Sequence, residues 1–308
     1  MLRFTLRQLE YFVAVGECGS IAYASAKVNV SSPSISAAIV QLENEFGLPL
    51  FVRQHAKGLS LTLAGRQMMV AARRVLFEAE GMVNLATAIA GKIQGPLAVG
   101  CMLTFAQVIV PSIRSSFEQC YPDVRFIQSE LDQAAIFMQL RRAEIDVALT
   151  YDLELPGDLL FHSMISLPPY AMFGEMHPLA NETSVSIEQL ARYPMALLDL
   201  PFSSDYFLSL FGKAGVKPSV QERTRDMAVL RSLVANGFGY SIANVRPLNE
   251  RSPDGNLLLF VPITGDVRPM QMGVLTTPEA ESVNIIRAFV EHCKEECSKD
   301  RLIGLRAI

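Results

Sequence analysis

Between residues 20 and 53 the chain reads SIAYASAKVNVSSPSISAAIVQLENEFGLPLFVR, and no other stretch limits the possible folds as tightly. Ile21, Ala24, Ser25 and Val28 fall at i, i+3, i+4 and i+7, and Ile35, Ala38, Ile39 and Leu42 repeat that spacing. Each set lines one face of a short amphipathic helix. A brief polar break separates the two. Ser32 is placed to accept a backbone N–H where the second helix opens, and Pro33 suits a first helical position, where its missing N–H leaves no partner unsatisfied. Two short helices joined this tightly make a helix-turn-helix, whose second helix enters the major groove of DNA.

A net charge of −4 looks wrong for a DNA-binding chain until it is divided along the sequence. Residues 1–74 carry eight basic and four acidic side chains, a net of +4, while the remainder carries 19 basic and 27 acidic ones, a net of −8. A basic head on an acidic body fits a nucleic-acid module attached to something else. The length of 308 residues suits two or three domains. No apolar run reaches the roughly 18 residues that cross a bilayer. The start, MLRFTLRQLEYF, lacks the apolar core and small-residue cleavage site of an export signal, and five cysteines make no paired framework. These features predict a cytoplasmic protein with no membrane role.

Thr5-x-x-Gln8 matches a capping box, so a first helix is expected from about Leu6, burying Leu6, Leu9, Phe12 and Val13. After the helix pair, FGLPLFVRQHAKGLSLT places a Gly, a Pro and a basic turn between apolar pairs, the pattern of a two-stranded wing. Thr62 is placed to cap a long helix, about Leu63 to Ile89. Along it positions 61, 65, 68, 72, 75, 79, 82, 86 and 89 form an a/d-type row, with a second row at Met69, Leu76, Val83 and Ala90. Such a sustained seam predicts a partner helix from a second copy of the chain. GKIQGP (91–96) then reads as a hinge.

Beyond it the pattern alternates: strand 97–102, helix 106–119, strand 124–131, helix 133–143, strand 145–151, which implies a parallel sheet with crossover helices. The theme repeats with a strand at 195–200, helices at 204–214 and 227–237, strands in YSIANV, LLLFVPI and QMGVLTT, and a last helix over 279–297. Two α/β lobes of this kind leave room for a ligand between them.

The blocks LRQLEYFVAV, GSIAYASAKVNVSSPSIS, IVQLENEFGLPLFVR and LTLAG, in this order and spacing, together with LVANGFGYSIANVRP (233–247), make the chain resemble the LysR-type transcriptional regulators along essentially its whole length. The resemblance implies an α+β multi-domain fold: a winged helix-turn-helix (1–62), a linker and dimerisation helix (63–91), and a two-lobed effector domain (92–308) like periplasmic binding proteins. Its first lobe would comprise about 92–165 and 268–308, and its second about 166–267. The resemblance also implies homotetramers that bend double-stranded promoter DNA, respond to a small-molecule effector, and contact RNA polymerase when they activate. No cofactor is implied. Two departures stand out, Ser32 where the family often has Gln, and Ala37 and Val40 where basic residues are common.

On this reading the DNA-facing set is Ser32, Pro33, Ser34, Ser36, Ala37, Val40 and Gln41, with Asn44 at the far end. Ala37 and Val40 suit thymine methyls and Gln41 or Asn44 suits adenine, while Arg3, Lys27, Arg53, His55, Lys57 and Arg66 anchor phosphates. With so little charge on the reading helix, DNA shape carries part of the specificity. In open α/β folds ligands sit beyond strand carboxyl ends, against helix N-termini. That places Met102, Leu103 and Thr104 in one lobe and Phe202 and Ser203 in the other, with Tyr151, Arg225, Asp226, Asn244 and Arg246 near further element ends. Free backbone N–H groups beside the Thr104 and Ser203 hydroxyls favour a carboxylate, hence an organic-acid effector.

Catalytic signatures are missing: no G-x-S-x-G, no P-loop, no H-E-x-x-H and no dinucleotide fingerprint. The chain is therefore expected not to be an enzyme. His292, Cys293, Glu296 and Cys297 share one helix but lack the second ligand pair of a structural zinc site. The rival readings are a redox regulator of the same fold using Cys101 or Cys120, and a ligand-binding protein without a DNA role.

Overall fold

The computed structural model describes residues 3–54, 58–89 and 93–298. These fall into two compact units, Met1–Lys92 with Arg141–Glu144, and Ile93–Leu140 with Ile145–Ile308.

The first unit runs α1 (Leu6–Cys18), α2 (Ile21–Val28), α3 (Ser32–Phe46), β1 (Phe51–Gln54), β2 (Gly58–Leu61) and α4 (Leu63–Ile89). Thr5 and Gln8 form the reciprocal capping box at the head of α1, with the Gln8 N–H donating to Thr5 Oγ1 at 3.2 Å and the Thr5 N–H to Gln8 Oε1 at 2.8 Å. The first three helices each stop on a left-handed residue, Gly19, Asn29 and Gly47. Tight stops of this kind keep the connections short. Phe12, Val15, Ala24, Ile35, Leu42 and Leu50 are fully buried among the helices. The Phe12 ring meets the wing residue Phe51 edge-on at 5.6 Å.

One cap differs from the sequence reading. Ser31, not Ser32, is extended and turns its hydroxyl back to accept the Ser34 N–H at 3.4 Å. Ser32 is already helical, so its side chain cannot reach that N–H, and Pro33 follows it within the first turn. Leu6 also stays exposed instead of joining the core.

The wing is an antiparallel pair, β1 with β2. It connects to α4 through Thr62, whose N–H donates to Leu50 O at 3.0 Å and whose hydroxyl donates to Pro49 O at 2.7 Å and accepts the Gly65 N–H at 2.8 Å. A Cβ on Gly65 would lie 2.1 Å from the Leu50 carbonyl oxygen, so only glycine lets α4 start this close to the wing. The long apolar row on α4 is therefore divided. Gly65, Met69 and Ala72 are buried, the last two within the head's own core, and Met68 and Leu76 pack against it. Val75 and Met82 stay 42% and 74% exposed. Over four turns a core-facing stripe and a pairing seam have the same spacing, which is why the sequence does not separate them. The side chains of Val83, Ala86 and Ile89, and Ala90 altogether, lie outside the described residues.

The second unit begins β3 (Gly95–Met102), α5 (Leu103–Ala106), α6 (Val110–Cys120), β4 (Val124–Leu131), α7 (Gln133–Arg141), β5 (Val147–Tyr151), β6 (Leu160–Leu167) and β7 (Tyr170–Gly174). It continues β8 (Val185–Ser186), α8 (Ile187–Leu190), β9 (Pro194–Leu198), α9 (Ser203–Lys213), β10 (Ser219–Thr224), α10 (Met227–Ala235), β11 (Ser241–Ala243), β12 (Leu258–Thr264), β13 (Met270–Thr276) and α11 (Asn284–Ser298). The expected helix 106–119 is two helices, because Pro111 has no N–H to carry a continuous ladder across the break. The expected helix 279–297 likewise begins as a separate 3-10 turn, Ala280–Ser282. Strands β6, β7, β8 and β10 and helix α8 have no counterpart in the sequence reading.

The first sheet has the order β4-β3-β5-β13-β6. β3 pairs parallel with β4 and β5, but β13 runs antiparallel to both β5 and β6, so the sheet is mixed and not parallel throughout. The second sheet, β11-β7-β12-β8, is antiparallel around β7, with a parallel β9–β10 pair beside it. The chain passes between the sheets at 167–170 and again before Met270. Asn244, only 3% exposed, ties the passage together: its amide donates to Leu167 O at 2.8 Å and to Tyr206 Oη at 3.1 Å. Tyr206 donates onward to Arg268 O at 2.6 Å. Arg268 closes on Asp152 at 2.6 Å.

Candidate DNA-reading surface and ligand cavity

Helix α3 is held by burial of Ile35, Ala38, Ile39 and Leu42. That leaves Pro33, Ser34, Ala37, Val40, Gln41 and Asn44 exposed, with Ser36 half-buried. Its inward carboxylate fixes the wing: Glu43 Oε1 accepts the Leu50 N–H at 2.7 Å and the Phe51 N–H at 3.2 Å. Gln41 Oε1 accepts from Gln8 Nε2 at 2.8 Å, which orients the Gln41 amide and leaves its own N–H groups for a base edge.

The basic residues divide. Lys27 pairs with Glu17 at 2.7 Å, and Arg73 joins the same carboxylate at 2.9 Å. Burial pushes the Glu17 carboxyl up, but hydrogen bonds from Lys27 and Arg73 outweigh it and hold the group below the ordinary range. Its Glu17 partner raises the Lys27 ammonium in turn. Lys27 is thus already committed, and a phosphate there has to compete with Glu17. Arg66 gives one N–H to Leu61 O at 3.1 Å and is otherwise open, and Arg3 is exposed. Arg53 belongs to β1; its side chain, with His55 and Lys57, lies outside the described residues.

Among the expected effector residues Thr104 meets Tyr151, and most of the other polar groups are engaged with partners of their own. Thr104 sits inside the short α5, 7% exposed, with Oγ1 at 3.3 Å from the buried Tyr151 hydroxyl. Burial raises the Tyr151 phenol, and the Phe105 ring lies 4.5 Å from it. Met102 is buried, and Leu103 half-buried. Ser203 is buried at the start of α9. Phe202 holds a φ of 64° and meets Phe137 of the first lobe at 5.8 Å. Arg225 faces Asp132 at 3.5 Å. Asp226 caps α10, accepting the Ala228 and Val229 N–H groups at 2.7 and 3.3 Å. Arg246 pairs with Glu250 at 2.6 Å. Asn244 is a tether. Most of these polar groups are therefore occupied in holding the fold.

Of that set only Thr104 lines a cavity of about 370 Å³. Its first-lobe wall is Thr104, Gln107 and Val108; its second-lobe wall is Met172 and Phe260 on the sheet, Met227, Ala228 and Arg231 on α10, and alternate residues from Ala243 to Arg251 with Ser252 and Pro253. The volume falls in the usual range for small-molecule sites, about 300–1,000 Å³. Sequence reasoning missed Arg231, whose one signal is a lone charge within the apolar helix MAVLRSLVA.

Cys101 is buried, its thiol 3.7 Å from Ser129 O and pushed up by burial to about 12. Among the described residues no group of three or more His, Cys, Asp or Glu is arranged to hold a metal, and no helix is long and apolar enough to cross a membrane. His292 bonds Ser116 Oγ at 2.7 Å, and Cys293 is buried.

A helix-turn-helix with a wing, followed by a two-lobed body with a cavity between its lobes, defines a ligand-responsive regulator of transcription. The model of the bacterial regulatory helix-turn-helix protein, lysR family, matches residues 6–66, and that of the LysR substrate binding domain matches 90–298. The chain belongs to the LysR family of transcriptional regulators. It is 27% identical over 94% of its length, and 98% of the relative's, to the uncharacterized regulator YvbU of Bacillus subtilis. Among solved structures it resembles HinK, a LysR family regulator from Pseudomonas aeruginosa, at 32% identity and a TM-score of 0.64, over 96% of this chain and 99% of that one. Full-length OxyR from the same organism shares the fold at a TM-score of 0.77 with 21% identity, over 98% and 100% of the two chains.

Proposed function

We propose that this regulator binds promoter DNA through α3 and the wing and changes that binding when a small organic acid enters the body. The observation that carries this reading is the reading helix: one face is locked into the head, and the opposite face presents small, polar and apolar side chains with no cation. Specificity then rests on Ser36, Ala37, Val40, Gln41 and Asn44 together with DNA shape, and affinity on Arg3, Arg53, His55, Lys57 and Arg66 around them. Residues 1–62 act as the head, 63–91 as the pairing helix, and 92–308 as the effector domain. The exposed Val75 and Met82 support pairing of α4 with a second copy, and two such pairs make a tetramer. The protein works in the cytoplasm without catalysis, and reaches RNA polymerase where it activates.

Gel shifts over a salt series provide the test. Arg53→Ala lowers affinity for all sequences about tenfold and flattens the salt slope by about one unit, whereas Ser36→Ala changes the ranking among sequences. Normal binding by Arg53→Ala removes the phosphate role. Retention of promoter binding after deletion of residues 1–90 overturns the division of labour.

A further inference from the structure

The cavity under α10 has a definite chemical character. Its walls are largely apolar, from Val108, Met172, Met227, Val245, Pro247 and Phe260. Two cations, Arg231 and Arg251, line it, and among the described residues no carboxylate does. Arg251 is exposed, so it belongs to the rim, whereas Arg231 is half-buried.

Arg231 is also incompletely used. Its Nη2 donates to the carbonyl oxygens of Asn249 and Arg251, each at 2.7 Å. A guanidinium has five N–H donors, so those on Nε and Nη1 lack a protein acceptor among the described residues. Arg246 differs: it lies 5.5 Å from the Phe260 centroid and is neutralised by Glu250. Arg231 lies 5.9 Å from the same ring and pairs with no carboxylate among the described residues. Burial lowers its affinity for a proton, and the nearby Glu250 offsets this only in part. A half-buried cation against an apolar wall, with its nearest carboxylate already bonded to Arg246, is costly, and an entering anion relieves that cost.

We propose that this cavity binds an amphipathic monocarboxylate, with its anionic head on Arg231 and its apolar body between Val108, Met172 and Met227. This rests on the reading of the body as an effector domain and names the ligand class of its site. One half-buried cation matches one negative charge; a dianion's second charge would meet a largely apolar wall or reach only the exposed Arg251 at the rim. The walls come from both lobes, so an occupant touches Val108 of one and α10 of the other. The expected hydroxyl of Ser203 plays no part in the site.

Isothermal titration of the full chain with three probes sharing one apolar body, 4-phenylbutyrate, 4-phenylbutan-1-ol and 4-phenylbutylamine, tests the proposal. The carboxylate should bind at least tenfold more tightly than the alcohol, and the amine most weakly, as a charge-assisted hydrogen bond predicts. Arg231→Gln should remove that preference and leave the alcohol within about twofold. Arg231→Lys should keep part of it. Val108→Phe, which fills the cavity from the first lobe, should weaken carboxylate and alcohol together, and Ser203→Ala should change neither. If Arg231→Gln does not fold, Arg231→Lys and Val108→Phe decide the question. Unchanged carboxylate affinity in the Arg231 variants, an amine binding as tightly as the acid, loss of binding in Ser203→Ala, or no binding by any probe at millimolar concentration each overturns the site. Promoter DNA titrated alongside separates the two levels. Probe binding that follows Arg231 but leaves DNA affinity unchanged sinks the effector reading and keeps the site; DNA affinity responding to a different ligand in Arg231→Gln does the reverse.

Discussion

The head and the body each present a recognition surface, but they build it in opposite ways. In the head a single helix supplies the outward residues, and its inward face is buried in one small core with α1, α2 and the start of α4, with Glu43 bonded to the wing. In the body the cavity is assembled from segments near 104–108, 172, 227–231, 243–253 and 260. A surface on one helix tolerates exchange of its outward residues because nothing else depends on them. A surface assembled from distant segments depends on whatever holds those segments together.

That contrast can be broken first at the two anchors. Phe12→Ala removes a fully buried ring packed on Phe51 and should cost the head about 3–5 kcal/mol. Hydrogen exchange on the full chain should then show loss of protection in α1 to α3 with β9 and β12 unchanged; equal loss in the body would erase the distinction. Asn244→Ala should cost the body about 1–3 kcal/mol, since it leaves Leu167 O and Tyr206 Oη without their donor. It should also weaken carboxylate binding although Asn244 does not line the cavity. Affinity unchanged in that variant would mean that the walls do not depend on the tether.

The smallest effect sharpens the comparison on the head side. Glu17 ionises more readily in the folded chain than in the unfolded one, so its contribution is present above the ordinary carboxylate range, near 4.3, and is lost as pH falls through the folded value. Because the group is partly exposed, the effect should be a few tenths of a kcal/mol. Glu17→Gln should flatten head stability between about pH 5 and 3, measured by exchange in α1 and α2. The same slope in wild type and variant would assign acid sensitivity elsewhere.

The same contrast governs what could be read from sequence. Capping boxes, left-handed stops and helical spacing are local, so α1 to α4 and the wing were legible nearly to the residue. The single-residue shift from Ser32 to Ser31 shows the limit, because both serines suit a cap and only backbone dihedrals choose. On α4 the reading failed differently: Gly65, Met69 and Ala72 satisfy a pairing seam and a core stripe equally. In the body β7 is a five-residue apolar run after two prolines, and β10 is polar and lies in a two-stranded pair, so neither shows clear strand patterning. Of the cavity, its place between two lobes and Thr104 were legible, but the rest of its lining was not. Hydroxyls at element ends drew attention, yet Thr104 and Tyr151 satisfy each other, whereas the incompletely used donors belong to an arginine in the middle of a helix.

The glycine contact at the root of α4 has a mechanical consequence. Gly65 against Leu50, with Thr62 bonded on both sides, joins helix and wing as a rigid bracket instead of a swivel. A 27-residue helix is about 40 Å long, comparable to the roughly 34–36 Å of one turn of DNA. With pairing through α4 as proposed, that helix acts as a ruler, and the spacing of operator half-sites becomes a dimension of the protein.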